Sequence, residues 1–216
     1  MKHPVYTYYV PIGTEKEEAS QTAMIHHWRS SWATQGWEAV VLGIDDAEAH
    51  PFFEEYNAAV QRLPTTNSQE YEMACYHRWL AVAHRGGGFM SDYDVVNYSF
   101  SARPPHTRLA VYEQTYDTKG VTPSVVGGDA AGFYDMCLCF ATCDVQGVLG
   151  EEKGRPHTSD MIVLQKMYHR FAYQVVPLCK QYGVPNWEDA PLVHFSHHAT
   201  SQTDRVACMK TSRPIS

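Results

Sequence analysis

Short runs rich in β-branched and aromatic residues alternate along this chain with stretches of helical periodicity, and that alternation constrains the fold more than any other feature. Val5 to Ile12 (VYTYYVPI) reads as a buried first strand. Thr14 and Glu17 have capping-box spacing and open a helix with Ala19, Ala23, Trp28 and Trp32 near one face, ended by Gly36. Trp37 to Ile44 is a second strand, and a helix runs from Pro51 to about Arg62, before Pro64. Asn67 and Glu70 cap a further helix to about Arg85, with Met73, Tyr76, Leu80 and Ala83 at helical spacing. Gly86, Gly87 and Gly88 break it. Phe89 to Val96 (FMSDYDVV) resumes as a strand, and Arg108 to Gln114 is another. Gly132 to Ala141 also reads as strand, and the cluster Cys137, Cys139 and Cys143, which lacks the second pair a zinc site would want, reads as buried strand cysteines. Thr158 or Ser159 caps a helix through Met161, Leu164, Met167 and Tyr168, and the polar C-terminal stretch is expected to be loose.

Strands alternating with helices predict an α/β fold with a mostly parallel central sheet flanked by helices. No repeat and no Pro-, Gly- or Ser-rich linker divides the 216 residues, so one domain is expected over 1–216. Ligands on such sheets bind beyond the carboxyl ends of the strands, which directs attention to residues that follow strands. With 17 Lys and Arg against 24 Asp and Glu the chain carries a net charge of −7 and no basic run, which argues against a nucleic-acid partner. A phosphorylated ligand then needs locally placed Arg residues or a metal ion. No window approaches the roughly 20 apolar residues of a membrane span. With no export-signal pattern at the N-terminus and six irregularly spaced cysteines, a soluble, cytoplasmic protein is expected.

Asp92-Tyr93-Asp94 is the strongest chemical candidate. On an extended segment residues two apart project from one face, so both carboxylates can converge on a hard, oxygen-rich site for Mg²⁺ or Mn²⁺. The pair follows a helix, three glycines that allow close backbone approach to a ligand, and a short strand, with Arg78 and Arg85 upstream as phosphate or carboxylate partners. The alternative for the same residues is a solvated Asp-x-Asp turn.

An Arg on a helix, a glycine pair, a short strand, then DXD and Val resembles the sugar-donor region of GT-A glycosyltransferases, and SSWATQGWEAVVL is similar to the same branch. The likeness covers about Val5 to Asn97. It departs at Ala74 and Cys75, where an acidic residue often precedes the Arg, and at Met90, where an aromatic is usual. A single small domain of this kind also resembles glycosyltransferases of large algal viruses that act on capsid glycans in the host cytoplasm.

The resemblance implies a Rossmann-like GT-A domain, with residues 1–97 as the nucleotide-sugar half and 98–216 as the acceptor half. It implies Asp94 as a direct ligand of Mn²⁺ (or Mg²⁺), with Asp92 sharing the metal or binding the donor ribose or sugar. Tyr93 joins the donor site, Arg78 contacts donor sugar or phosphate, and Tyr9 and Val10 frame the base. His194 in HFSHH fits the late histidine that many such enzymes supply as a third ligand, with His197 a lesser candidate, and a nitrogen ligand tilts the preference to Mn²⁺. If transfer inverts the anomeric centre a carboxylate must take the acceptor proton. Asp160 is the first choice and Asp129 the second, although Asp160 in a helix's first turn is also stabilised by the dipole alone. The implied partners are a nucleotide-sugar donor, most simply a UDP-sugar, and a glycan hydroxyl. A metal-dependent phosphohydrolase and a non-catalytic nucleotide-sugar- or glycan-binding module are the alternatives.

Overall fold

The computed structural model describes residues 3–101, 108–115, 120–144, 147, 149–167, 173–197, 200 and 204–215. Tyr168, named above, and the last histidine of HFSHH, His198, lie outside them. In chain order the described elements are β1 (Pro4–Tyr8), α1 (Glu15–Thr34), β2 (Glu38–Leu42), α2 (Ile44–Glu48), α3 (Phe53–Val60), α4 (Gln69–His84), β3 (Gly87–Ser91) and β4 (Val95–Asn97). There follow β5 (Leu109–Gln114), β6 (Val121–Asp129), α5 (Ala130–Ala141), a small β7 (Glu151–Glu152) and β8 (Arg155–Pro156) hairpin, α6 (Asp160–Met167), β9 (Gln174–Gln181), β10 (Leu192–His194) and α7 (Arg205–Thr211).

Eight strands form one sheet in the order β2-β1-β3-β6-β5-β9-β10-β4. β1 pairs in parallel with β2 and β3, and β9 with β5 and β10, while β6 and β4 run antiparallel to their neighbours. Period-2 alternation sends successive side chains to two cores. Tyr6, Met90, Val111 and Val126 face the layer of α2 to α6, while Val5, Phe89, Ala110, Tyr112 and Val125 face the layer containing the α1 tryptophans. The sheet is therefore covered on both faces, as a mostly parallel sheet requires.

Local chemistry explains most element ends. Thr14 and Glu17 form both bonds of the capping box on α1, and Ser159 Oγ accepts from Ile162 N to start α6. The α4 cap is Ser68 rather than Asn67, because the Asn67 amide donates instead to Glu72. Pro51 sits in the turn before α3, and the short α2 is fastened by Gly43 N donating to the Asp46 carboxylate at 2.8 Å. Three expectations change. Gly132 to Ala141 lies within helix α5, since Phe133, Met136, Cys137 and Phe140 fall at helical spacing and all four are buried on one face; Cys137 is a core helix residue. The C-terminal stretch is packed where it is described, with Met209 buried and Arg213 over the Tyr98 ring. Within the glycine triplet, Gly87 is required by the sheet. Gly87 has φ +82° and pairs with Asp129, and a Cβ there would come within 2.6 to 2.7 Å of backbone atoms of Gly128, Asp129 and Ala130.

FMSDYDVV is not one continuous strand either. Asp92 to Asp94 form a turn, with Val95 N donating to Asp92 O at 3.1 Å, between β3 in the middle of the sheet and β4 at its far edge. Only a sheet that curls back at its carboxyl edge lets three residues join those positions. Tryptophans fix the turn from the α1 side. Trp28 Nε1 donates to Ser91 Oγ at 3.2 Å and Trp32 Nε1 to Val95 O at 3.3 Å, while Trp37 stacks on Phe100. Trp32→Ala is expected to lose roughly 3–5 kcal/mol of stability, against about 1 kcal/mol for Thr14→Ala. Urea unfolding measures both, and equal losses would refute the tryptophan layer as the stronger support.

Candidate active site

The turn at the end of β3 presents Asp92 and Asp94, and β10 brings up the third partner. Register sets His194 opposite Val95, so its ring lies beside Asp94. His194 Nε2 is 3.4 Å from Asp94 Oδ1 and 4.0 Å from Asp92 Oδ2, and one donor atom from each of the three residues lies within 4.8 Å of the others. Convergence thus comes from a turn and a neighbouring strand rather than from two residues on one extended face.

A second carboxylate orients the histidine. Glu113, in β5 beside its bulge, is 1% exposed, and its Oε2 accepts from His194 Nδ1 at 2.8 Å and from Ser124 Oγ. A carboxylate accepting at Nδ1 places that proton there and leaves Nε2 for the Asp92–Asp94 side, which is the arrangement of a metal-binding histidine. Two carboxylate oxygens and one imidazole nitrogen form a donor set suited to a divalent cation. The residues present therefore fit one.

Charge is divided unequally over the pair. Burial pushes Asp92 up to about 6 against the pull of the Arg78 guanidinium. Asp94 is also buried, but His194 and Arg205, whose Nη1 donates to its Oδ2 at 2.9 Å, hold it below its ordinary value. Burial disfavours the charged His194 ring, yet Glu113 and Asp94 more than offset this and raise its pKa well above normal.

Arg78 ties the turn to the helix layer. Its Nη1 donates to Asp92, and its Nε and Nη2 donate to Asp160 Oδ2 at 3.1 and 2.6 Å. Trp79 Nε1 donates to the same oxygen at 2.9 Å, and Met161 N to Asp160 Oδ1 at 2.7 Å. Asp160, 4% exposed, is thus in the site but engaged with four donor groups. Tyr9, just past β1, meets Tyr93 edge to face at 6.2 Å, and Val10 is half-buried against the core.

Other candidates stay outside. Arg85 pairs with Asp46. Asp129 caps α5 through Gly132 N and stands opposite Gly87, at the amino end of β3, a strand's length from Asp92. Among the described residues, the clustered donor atoms belong to Asp92, Asp94 and His194, and His197 is exposed and not among them.

Glu113 and Arg205 are functional neighbours that the sequence pattern conceals. Glu113 is signalled only by being acidic inside an apolar strand, LAVYEQ. Glu72 is a third. It is 2% exposed, its Oε1 accepts from Asn67 Nδ2 at 2.6 Å, and its Oε2 has no hydrogen-bond partner among the described residues.

With this geometry established, similarity can be placed beside it. Residues 1–108, half of the chain, match the family model described as "Domain of unknown function (DUF8765)", and the chain belongs to that family. No curated protein matches its sequence. Among solved structures it is similar to a glycosyltransferase involved in the glycosylation of the major capsid of PBCV-1, at 11% identity and TM-score 0.59, covering 98% of this chain and 100% of that one. It is also similar to mouse xyloside xylosyltransferase 1 in its apo form, at 8% identity and TM-score 0.53, covering 89% and 97%. At such identities the likeness establishes the fold, a single GT-A-type α/β domain, with a possible Asp92–Asp94–His194 metal site at the sheet's carboxyl edge. No helix among the described residues is long and apolar enough to cross a membrane.

Burial raises the pKa of Glu72 to about 7, with the Asn67 amide pulling it down and Asp160 adding to the rise. Below about pH 4.5 folded and unfolded chains both hold this proton. As pH rises through 7 the folded chain must accept a buried charge that the unfolded chain carries freely, so stability is lost. Relative to Glu72→Gln, the wild-type protein is expected to lose roughly 3 kcal/mol between pH 4 and pH 8. Parallel pH–stability curves for the two proteins would sink this assignment.

Proposed function

We propose that this protein is a metal-dependent glycosyltransferase that moves a sugar from a nucleoside diphosphate sugar, most simply a UDP-sugar, to a hydroxyl of a glycan. The observation that carries the reading is the Asp92–Asp94–His194 cluster, oriented by Glu113 and placed at the carboxyl edge of a GT-A sheet. Asp92, Asp94 and His194 Nε2 would hold a divalent cation, with the nitrogen ligand favouring Mn²⁺ over Mg²⁺. When bound, such a cation neutralises the diphosphate and stabilises its departure as a Lewis acid.

The chain's own groups divide the remaining work. Tyr9 and Tyr93, already edge to face, offer aromatic surface to the base at the end of β1, with Val10 beside them. The Arg78 guanidinium, held on its Nε and Nη2 side by Asp160, which Trp79 also binds, keeps Nη1 beside Asp92, where donor sugar or phosphate oxygens arrive. With both its oxygens engaged, Asp160 is assigned to positioning Arg78 rather than to taking the acceptor proton. Arg205 adds positive charge near the diphosphate from the C-terminal side. In this reading donor contacts come from both 1–97 and 98–216, with His194 and Arg205 supplied by the second half. A glycan of the kind carried by a viral capsid, which one structural neighbour helps to glycosylate, is the first acceptor class to test.

A thermal-shift titration with nucleotides and nucleotide sugars, with and without Mn²⁺, tests the reading, because a ligand of the native state raises the midpoint by mass action. A shift confined to UDP or UDP-sugars with metal is expected, and Asp94→Ala is expected to abolish it without unfolding the chain. A shift with Mn²⁺ alone, accompanied by release of inorganic phosphate from phosphoesters, would point to a phosphohydrolase instead. Glu113→Gln is expected to weaken Mn²⁺ binding about 10- to 100-fold, measured by calorimetry; an unchanged affinity would reduce Glu113 to packing. Asp160→Asn is expected to raise the donor-sugar KM together with a fall in kcat. A lower kcat at unchanged donor KM would return Asp160 to the role of base.

A further inference from the structure

Asp92, Asp94 and His194 each carry two polar side-chain atoms, and the structure divides them the same way in all three. One atom of each faces the cluster. His194 Nε2 lies 3.4 Å from Asp94 Oδ1 and 4.0 Å from Asp92 Oδ2. The other atom is bound from behind. Asp92 Oδ1 accepts from Arg78 Nη1, Asp94 Oδ2 accepts from Arg205 Nη1 at 2.9 Å, and His194 Nδ1 donates to Glu113 Oε2 at 2.8 Å. Each carboxylate is therefore left with one oxygen for whatever the cluster holds.

The two arginines are not equivalent. Arg78 also binds Asp160 through Nε and Nη2, so its charge serves two acids. Arg205 is ion-paired, among the described residues, to Asp94 alone. The helix that carries it is fixed at its other end. Met209 is buried, the Tyr98 and Ser212 hydroxyl oxygens are 3.1 Å apart, and Arg213 Nη1 donates to Glu188 O at 2.7 Å and to Ala190 O at 3.1 Å. Asp204 closes the near end as the cap of α7, accepting from Ala207 N at 3.2 Å. Arg205, the first residue of an anchored helix, is thus delivered to Asp94 by tertiary packing.

The number of oxygens a carboxylate offers sorts cations. Ca²⁺ gathers about six to eight oxygen ligands and readily takes both oxygens of one carboxylate, whereas a smaller ion is content with one or two carboxylates and phosphate oxygens. Opening Asp94 to two-oxygen ligation means breaking a charge-assisted hydrogen bond from a guanidinium.

We infer that Arg205 is a positioning residue for the metal site: by holding Asp94 Oδ2 it limits Asp94 to ligation through one oxygen, and so makes the site select a small cation such as Mn²⁺ against Ca²⁺. The inference rests on the metal-site reading above and deepens it by naming the residue that sets which ion is refused. A plain charge effect has a different consequence. Mn²⁺ and Ca²⁺ carry the same charge, so repulsion by the guanidinium lowers both affinities by much the same factor and leaves their ratio untouched.

The test is calorimetric titration of the full chain with MnCl₂ and with CaCl₂, each without nucleotide and with UDP present. Wild type is compared with Arg205→Ala and Arg205→Met, the second keeping an unbranched stem, and thermal melts report that both are folded. Wild type is expected to bind Mn²⁺ roughly tenfold or more tighter than Ca²⁺, and both variants to cut that ratio roughly fivefold or more. Tb³⁺, a luminescent stand-in for Ca²⁺, is expected to lose about one bound water in the variants, counted from its lifetimes in H₂O and D₂O, because the released carboxylate oxygen replaces it. A ratio unchanged in both variants overturns the inference, even where both affinities rise. So does a wild-type site with equal affinity for the two ions, and so does an unchanged water count. A chain that binds neither ion, with or without UDP, fails differently: it removes the metal-site reading itself, and this inference with it.

Discussion

The structure turns on a three-residue connection. Asp92 to Asp94 carry the chain from β3, in the interior of the sheet, to β4 at its last position, and the sheet has to curl for so short a link to close. Backbone bonds hold the link on three sides: Asp92 N to Ser124 O, Val95 N to Asp92 O, and Phe195 N to Asp94 O. Trp28 and Trp32 brace it from α1, and Arg78 anchors it to α4. Because β4 pairs with β10, the constraint that bends the chain also delivers His194 to the two aspartates.

Around that turn lies a dense set of buried charges. Four carboxylates, two guanidiniums and one imidazole are linked by direct contacts from Asp160 through Arg78, Asp92, Asp94 and His194 to Glu113, with Arg205 joining at Asp94. Burying so many ionisable groups opposes folding unless each is paired, and the pairing here is nearly complete. The exceptions carry information. Glu113 Oε1 and Glu72 Oε2 are buried oxygens without partners among the described residues. The first belongs to the carboxylate that orients His194, and the second to Glu72 in the first turn of α4, whose other oxygen accepts from Asn67. A buried carboxylate oxygen without a donor opposes folding.

Much of the framework was legible in sequence. The alternation of short apolar runs with capped helical stretches fixed the fold class, and the box at Thr14 and Glu17 and the stop at Gly36 were read correctly at residue level. The Asp-x-Asp after an apolar run, and His194 far along the chain, marked the cluster that the structure assembles. Legibility failed where local pattern was ambiguous. Gly132 to Ala141 is apolar enough to pass for a strand, and only the four buried positions on one face, Phe133, Met136, Cys137 and Phe140, identify a helix. The sequence did not show that Gly87 relieves crowding between the start of β3 and the end of β6.

Capping, helix breaks, strand alternation and the two-residue spacing of Asp92 and Asp94 depend on neighbours within a few positions, so the sequence by itself determined them. Tertiary structure alone decided that Glu113 would orient His194, that Arg205 would reach Asp94, and that Asp160 would face Arg78 rather than open cleft. Those contacts span 81, 111 and 82 positions of chain. Their existence depends on strand order and on the curl of the sheet, which burial over the whole chain selects and no short window of residues encodes.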